Sequence, residues 1–366
     1  MKSRLLAAFL ALATLAAAAC AGGGAPSALK PAPAATPAPE AGSDFLVGRP
    51  QNRTGIGDVD RAFNSYAATR ADLIALYQAQ PWFGDGLTRD EALFVERGLS
   101  FVARYSGPRT AYVSRETIEK KLYRYDHVRV SGGEIELLLI YEPGQDVDQE
   151  MATLTKVIPA LESLVGVQFP ESVLTVINGA FEINDFSDGQ FIRIARCCVQ
   201  SPFILAHELA HTYWSVGPSW FNEGMADIYA TMALAELDQQ SPPGWRKTGS
   251  DLDAYHRSRR AAIESGRFPE LVLPRRFASD GLYEAADVFL LDIRKHLGDG
   301  AFLAAARAIY LASDFGRYNL REARIEDAFL QQAKADARDA VMALFNRLIW
   351  GDNGERYRQL QELAGS

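Results

Sequence analysis

Apolar positions change their spacing several times along this chain, and each change marks an element. Between Val59 and Gln80, residues Phe63, Tyr66, Ile74, Leu76 and Tyr77 recur at helical intervals. Arg89 to Tyr105 repeats the pattern through Leu93, Phe94, Leu99 and Val102. Asp90 and Glu91 favour the start of that helix, where the peptide dipoles leave partial positive charge. Trp82-Phe83, beside Gly84-Asp85-Gly86, reads as a packing plug between the two helices. Gly132-Gly133 marks a boundary, and Glu134 to Tyr141 is then a strand of Leu and Ile. Val147 to Val165 predicts a helix stopped by Gly166. Ser172 to Asn178 and Gln190 to Ala195 predict further strands. A helix from about Pro202 is ended by Gly217-Pro218, because proline lacks a donor and restricts its predecessor. Phe221 to about Leu237, rich in Ala, Met and Leu, predicts its antiparallel partner. The rest is largely helical, with Phe302 to Leu311, Ile325 to Ala335 and Ala337 to Ile349 as its clearest segments, and no internal repeat is apparent. The sum is an α+β chain: a mainly helical region over 44–133, then a small layer of strands followed by helices over 134–366.

Composition adds a destination. The chain has 366 residues, 48% of them hydrophobic, which is ample for one large or two smaller cores. Lys2 and Arg4 precede an apolar run from Leu5 to Ala19, too short for a comfortable membrane-spanning helix. Residues 1–20 therefore read as an export signal. It ends in Ala17-Ala18-Ala19-Cys20, which resembles a bacterial lipobox, so Cys20 is expected to carry lipid and anchor the chain to a membrane from the periplasmic side. Ordinary cleavage at the alanine run, giving a soluble periplasmic or secreted protein, is the alternative. Residues 21–43, rich in Ala, Pro and Gly, cannot bury a core and read as a tether.

The net charge of −8 becomes more negative once Lys2 and Arg4 are removed, and no basic stripe is visible. A nucleic-acid partner is therefore disfavoured. Cys197 and Cys198 are adjacent. Export favours oxidation, but neighbouring Cα atoms lie about 3.8 Å apart, below the usual disulfide range. A strained vicinal bridge and two buried thiols stay open as alternatives.

The chemistry sits in His207-Glu208-Leu209-Ala210-His211, of the form H-E-x-x-H, in a chain with five histidines. On a helix the two imidazoles project from one face, one turn apart, where one Zn²⁺ can take both. Glu208 can reach a water activated by that metal without being a ligand. A catalytic zinc usually takes three protein ligands. If the next helix returns antiparallel, Glu223 comes back to face the histidines as the third. Asp227, one turn further on, can accept the free ring N–H of a ligating histidine and fix its tautomer.

His207-Glu208-Leu209-Ala210-His211 followed by Trp220-Phe221-Asn222-Glu223-Gly224-Met225-Ala226-Asp227 resembles the gluzincin metallopeptidases, above all the zinc aminopeptidase branch. The resemblance covers roughly residues 134–350. It implies a thermolysin-like zincin catalytic domain and one Zn²⁺ held by His207, His211 and Glu223. Glu208 would be the general base and Asp227 the supporting carboxylate. Only eleven residues separate His211 from Glu223, fewer than in typical aminopeptidases, so the loop between the helices must be cut down. Gly179-Ala180-Phe181-Glu182 resembles the start of the family's GAMEN segment, in which the glutamate holds the substrate's amino terminus. Ile183-Asn184 departs from it. Tyr283-Glu284 resembles the family's YEKG helix, with Ala285-Ala286 in place of Lys-Gly, and implies Tyr283 as the donor to the oxyanion. Tyr255 and His256 are weaker candidates for that role. The expectation is a zinc peptidase acting on peptides or proteins. Glu182 would decide between aminopeptidase and endopeptidase, and a non-catalytic binding lipoprotein of the same fold is the remaining rival.

Overall fold

The computed structural model of the chain describes residues 70–105, 113–178, 186–187, 189–195, 198, 201–237, 252–265 and 282–351. Three helices come first: α1 (Arg70–Gln78), α2 (Arg89–Tyr105) and the short α3 (Arg115–Glu119). A mixed sheet follows, formed by β1 (Tyr123–Val130), β2 (Gly133–Tyr141), β3 (Val173–Asn178), β4 (Phe186–Ser187) and β5 (Phe191–Ile194). Its spatial order is β1-β2-β3-β5-β4. β2, β3 and β5 run parallel, and β1 and β4 lie antiparallel at the two edges. Helix α4 (Asp148–Val165) is the crossover from β2 to β3, ended by Gly166 in the left-handed conformation, where an absent Cβ removes the steric penalty. The remaining helices are α5 (Pro202–Ala210), α6 (Ser219–Glu236), α7 (Leu252–Glu264), α8 (Leu282–Leu297), α9 (Asp299–Ala312), α10 (Glu322–Gln332) and α11 (Ala335–Phe345).

Alternation along the strands builds two cores. Ile135, Leu137, Leu139, Leu174, Val176, Ile192 and Ile194 face α4, α5 and α6, and with the later helices they form the larger core. Leu138, Ile140, Ile177 and Phe191 point the other way and meet Leu73, Tyr77, Phe94, Phe101 and Val102 from α1 and α2.

The sequence reading did not find β1. Ser131-Gly132 is the turn of the β1–β2 hairpin, with Val130 paired to Gly133, and helices α1, α2 and α3 lie on the far face of the same sheet. The sequence 123–130 hid its strand because its apolar face switches half-way. Tyr123 and Tyr125 pack toward α2, whereas Val128 and Val130 pack toward α4. Trp82 and Phe83 do pack against the smaller core, as a plug should. Residues 1–69, with Cys20 and the tether, lie outside the described residues, as do Gly179, Ala180, Glu182 and Cys197. Cys198 is buried in the larger core. Among the described residues no helix is long and apolar enough to cross a membrane.

Candidate metal centre

Helix α5 is short and wholly buried, and its start is chemically explicit. Ser201 caps it by accepting the N–H of Ile204 at 3.3 Å, and Pro202 follows in the first turn, where its missing donor costs nothing. The helix stops at Ala210 rather than running on to Gly217-Pro218. Thr212 and Ser215 donate side-chain hydrogen bonds to the carbonyls of Leu209 and His211, offering the backbone an alternative to further helical turns. His211 is thus the C-terminal cap of α5, still one turn from His207.

The chain returns through a tight turn into α6. Asn222 closes that turn: its Oδ1 accepts from Val216 N–H at 3.1 Å and Gly217 N–H at 2.9 Å, and its Nδ2 donates to Gly217 O at 2.9 Å. Asn222 had no assigned role in the sequence reading. Its clue was the short spacing itself, since a shortened loop needs something to satisfy its backbone. Gly224 has a similar hidden task. A Cβ there would lie 2.7 Å from Leu290 Cδ1 and 3.3 Å from the backbone of Ala286. Glycine therefore lets α6 approach α8, the helix that carries Tyr283.

The outcome is a triangle of donor atoms. His207 Nε2 and His211 Nε2 are 3.1 Å apart, and Glu223 Oε2 is 3.3 Å from the first and 3.4 Å from the second. A tetrahedral Zn²⁺ with bonds of about 2.0–2.1 Å sets its ligands about 3.3 Å apart, so the three atoms match the edges of such a site. The other ring nitrogens are also engaged. His207 Nδ1 lies 2.6 Å from Asp227 Oδ1, and His211 Nδ1 lies 3.1 Å from the carbonyl of Trp214. With an acceptor at each Nδ1, the proton sits there and the Nε2 lone pairs turn toward the centre of the triangle. Two imidazoles and a carboxylate are a donor set suited to zinc, so the residues present fit the ion.

Burial and charge act in opposite directions on these groups. Burial pushes the pKa of His207 down, but the adjacent Asp227 carboxylate, joined by Glu223 and Glu208, outweighs it and raises the value to about 10. For Glu223, burial pushes up and the two histidines pull down harder, to about 2. These directions belong to the protein without its metal, where a second ring proton on His207 Nε2, favoured by the Asp227 charge on the other nitrogen, occupies the place that the ion competes for.

A cleft of about 190 Å³ opens onto the triangle, lined by His207, Glu208, His211, Glu223, Asn222 and Tyr283 together with Ser187, Ser215 and Ser219. Glu208 and Tyr283 therefore share the cavity with all three donor atoms. Ser187 lies on the edge strand β4, and Gly179, Ala180 and Glu182 fall in the chain segment between β3 and β4. Tyr255 and His256 do not line the cleft. Tyr255 stands behind His207, with its hydroxyl 3.1 Å from Asp227 Oδ2, and His256 faces Asp292 at 2.9 Å.

No protein-family model matches the sequence, and no curated protein does. Solved structures match the fold. An M1 zinc metallopeptidase from Deinococcus radiodurans aligns over 63% of this chain and 53% of its own, with a TM-score of 0.51 and 14% identity. A two-domain M1 zinc metallopeptidase, a glutamate-to-alanine mutant bound to L-tryptophan, aligns over the same shares at a TM-score of 0.51 and 15% identity. The fold over that region is the one seen in M1 zinc metallopeptidases. The chain spans about half the length of these structures.

Proposed function

We propose that this chain is a zinc-dependent peptidase, exported and held at the periplasmic face of a bacterial membrane by lipid on Cys20, with residues 21–43 as its tether. The observation that carries the catalytic part is the donor triangle of His207, His211 and Glu223, opening on the same cleft as Glu208 and Tyr283. When bound there, Zn²⁺ supplies a Lewis acid for the scissile carbonyl and makes water acidic enough to attack near neutral pH. Glu208 takes the proton of the attacking water and delivers it to the leaving amine. Tyr283 donates its hydroxyl proton as a hydrogen bond to the oxygen on which negative charge develops. Asp227 holds the His207 ring in the tautomer that leaves Nε2 free. Glu182, if it faces the substrate, would hold a free amino terminus and make the enzyme an aminopeptidase. The fold match supports this reading.

The test uses the chain purified from detergent extracts, assayed on free-amine and amino-blocked peptides. The expected result is one zinc per chain, with cleavage abolished by Glu208→Gln while zinc is retained. Absence of stoichiometric zinc overturns the metallopeptidase. Zinc without Glu208-dependent cleavage favours a binding lipoprotein. Cleavage of blocked peptides makes it an endopeptidase, whereas cleavage of free-amine peptides alone, lost in Glu182→Ala, makes it an aminopeptidase. Incorporation of labelled fatty acid that disappears in Cys20→Ser tests the anchor.

A further inference from the structure

Behind the triangle lies a second buried cluster of charge on α7, a helix the sequence reading did not find. Asp227, wholly buried, has one oxygen on His207 Nδ1. Its other oxygen lies 3.1 Å from the Tyr255 hydroxyl. The same hydroxyl donates to Asp287 Oδ2 at 2.5 Å, and Asp287 is also wholly buried. One phenol has a single proton, so it cannot satisfy two carboxylates at once. Two buried anions around one hydroxyl need a cation, and Arg259 contacts both. Its Nη2 donates to the Tyr255 oxygen at 3.0 Å and lies 3.8 Å from Asp227 Oδ2. Its Nε lies 3.2 Å from Asp287 Oδ2, and its Nη1 donates to Glu284 at 2.9 Å. The guanidinium also stands over the Tyr255 ring, 4.8 Å from its centre. The Arg259 side chain is only 12% exposed, so the pairing is poorly screened by water.

The partners of Arg259 divide into two arms. Through Asp227 it reaches the metal ligand His207. Through Glu284 it reaches the first turn of α8, next to Tyr283, which lines the cleft. We propose that Arg259, working with Tyr255, is a positioning residue for both arms: it holds the Asp227 carboxylate against His207 and seats the turn of α8 that presents Tyr283. This rests on the zinc reading of the site. It goes beyond that reading by assigning the α7 cluster, which touches neither metal nor substrate, a part in both metal affinity and oxyanion contact. A purely structural salt bridge would affect folding alone, whereas a strut between the two arms changes ligand geometry in the folded protein.

The experiment compares the full-length wild type with Arg259→Gln, Arg259→Lys and Tyr255→Phe, each confirmed as folded by circular dichroism and its melting transition. Zinc affinity is measured by competition with a chromophoric chelator, and kcat and KM on a peptide. Removing a partner that orients a metal ligand typically lowers affinity by about 10–100-fold. One step further from the metal, Arg259→Gln is expected to weaken zinc binding about tenfold and to lower kcat more than it raises KM. Arg259→Lys keeps the charge but loses the fork, and should recover part of both losses. Tyr255→Phe keeps the packing and removes only the hydroxyl, so it remains informative if Arg259→Gln does not fold. Folded variants that bind zinc within twofold of wild type and keep wild-type kcat overturn the proposal while leaving the zinc reading intact. A wild type that binds no zinc overturns both.

Discussion

The two faces of the central sheet use similar apolar side chains to different ends. On the face toward α1 and α2 the core is rich in aromatic rings: Phe94 packs among Tyr77, Trp82 and Tyr123, with ring centres 4.9–6.0 Å apart. Its ionic contacts, such as Lys121 with Glu91 and Arg89 with Glu136, sit at the rim. On the other face, apolar packing surrounds groups that are costly to bury: His207, Glu208, Asp227, Asp287 and Arg259. Burial of an ionised group is tolerated only when it is paired and hydrogen-bonded. The first face therefore serves stability, and the second spends stability on a preorganised polar site. A substitution on one should leave the other's observable unmoved.

The largest separation should come from Glu208→Gln. The change is isosteric, and a lost general base typically costs about 10²–10⁴-fold in rate. Peptide cleavage should fall by that order, with zinc content and melting temperature nearly unchanged. A comparable loss of melting temperature would mean that Glu208 is a packing element.

The mirror experiment is Phe94→Ala. Truncating a fully buried phenylalanine costs about 3–5 kcal/mol, and Phe94 is 0% exposed. Chemical denaturation should show that loss, while zinc affinity and kcat per folded molecule stay at wild-type values. A drop in zinc affinity would show that the two faces are coupled through the sheet.

These two positions also show what was legible in the sequence. Phe94 was readable from helical spacing alone, and the H-E-x-x-H pattern placed two candidate metal ligands side by side from five letters, because an i, i+4 pair must share a helix face. Glu223 and Asp227 required one further step, that α6 returns antiparallel. The hairpin at Ser131-Gly132 was lost because the apolar side chains of β1 change face between Tyr125 and Val128, which breaks the alternation that reveals a strand. Helix α7 was lost for another reason. Leu252 and Tyr255 are its buried apolar residues, and the element is held largely by Arg259, Arg260 and the carboxylates they meet on α6 and α8. Charge pairing across distant helices leaves no periodic trace. Asn222 and Gly224 stood in the sequence as part of a motif, but their tasks, closing a turn and admitting α8, exist only once the helices are packed.

A smaller effect sharpens the comparison on the polar face itself. Asp227→Asn keeps the volume but removes the charge opposite His207. Loss of such a partner should weaken zinc binding about 10–100-fold, read by chelator competition, with the Phe94 side of the sheet and its contribution to stability unchanged. Zinc affinity equal to wild type would reduce Asp227 to a buried charge with no hold on the metal.

The smallest expected effect is a pH dependence that belongs to one face only. In the zinc-free protein Asp227 raises the pKa of His207 to about 10, against an ordinary value of about 6.5 in the unfolded chain. A raised histidine pKa means that the folded state binds the proton more tightly. The stabilisation is therefore full below pH 6.5 and is lost as pH rises through 10. The rim of the other face behaves in the opposite sense. The bond to Arg89 holds the Glu136 carboxyl below its usual range, so its contribution is present above that range and disappears in acid. Melting curves recorded with a chelator from pH 6.5 to 10.5 should thus decline by a few degrees in wild type. The decline should be shallower in Asp227→Asn, which removes the largest of the charges that raise the histidine pKa. With zinc present the slope should flatten, because the metal has already displaced the proton from Nε2. The same competition carries the rise of zinc affinity with pH well beyond the ordinary imidazole range near 6.5. Identical slopes in wild type and Asp227→Asn would separate the alkaline titration from His207 and detach it from the metal centre.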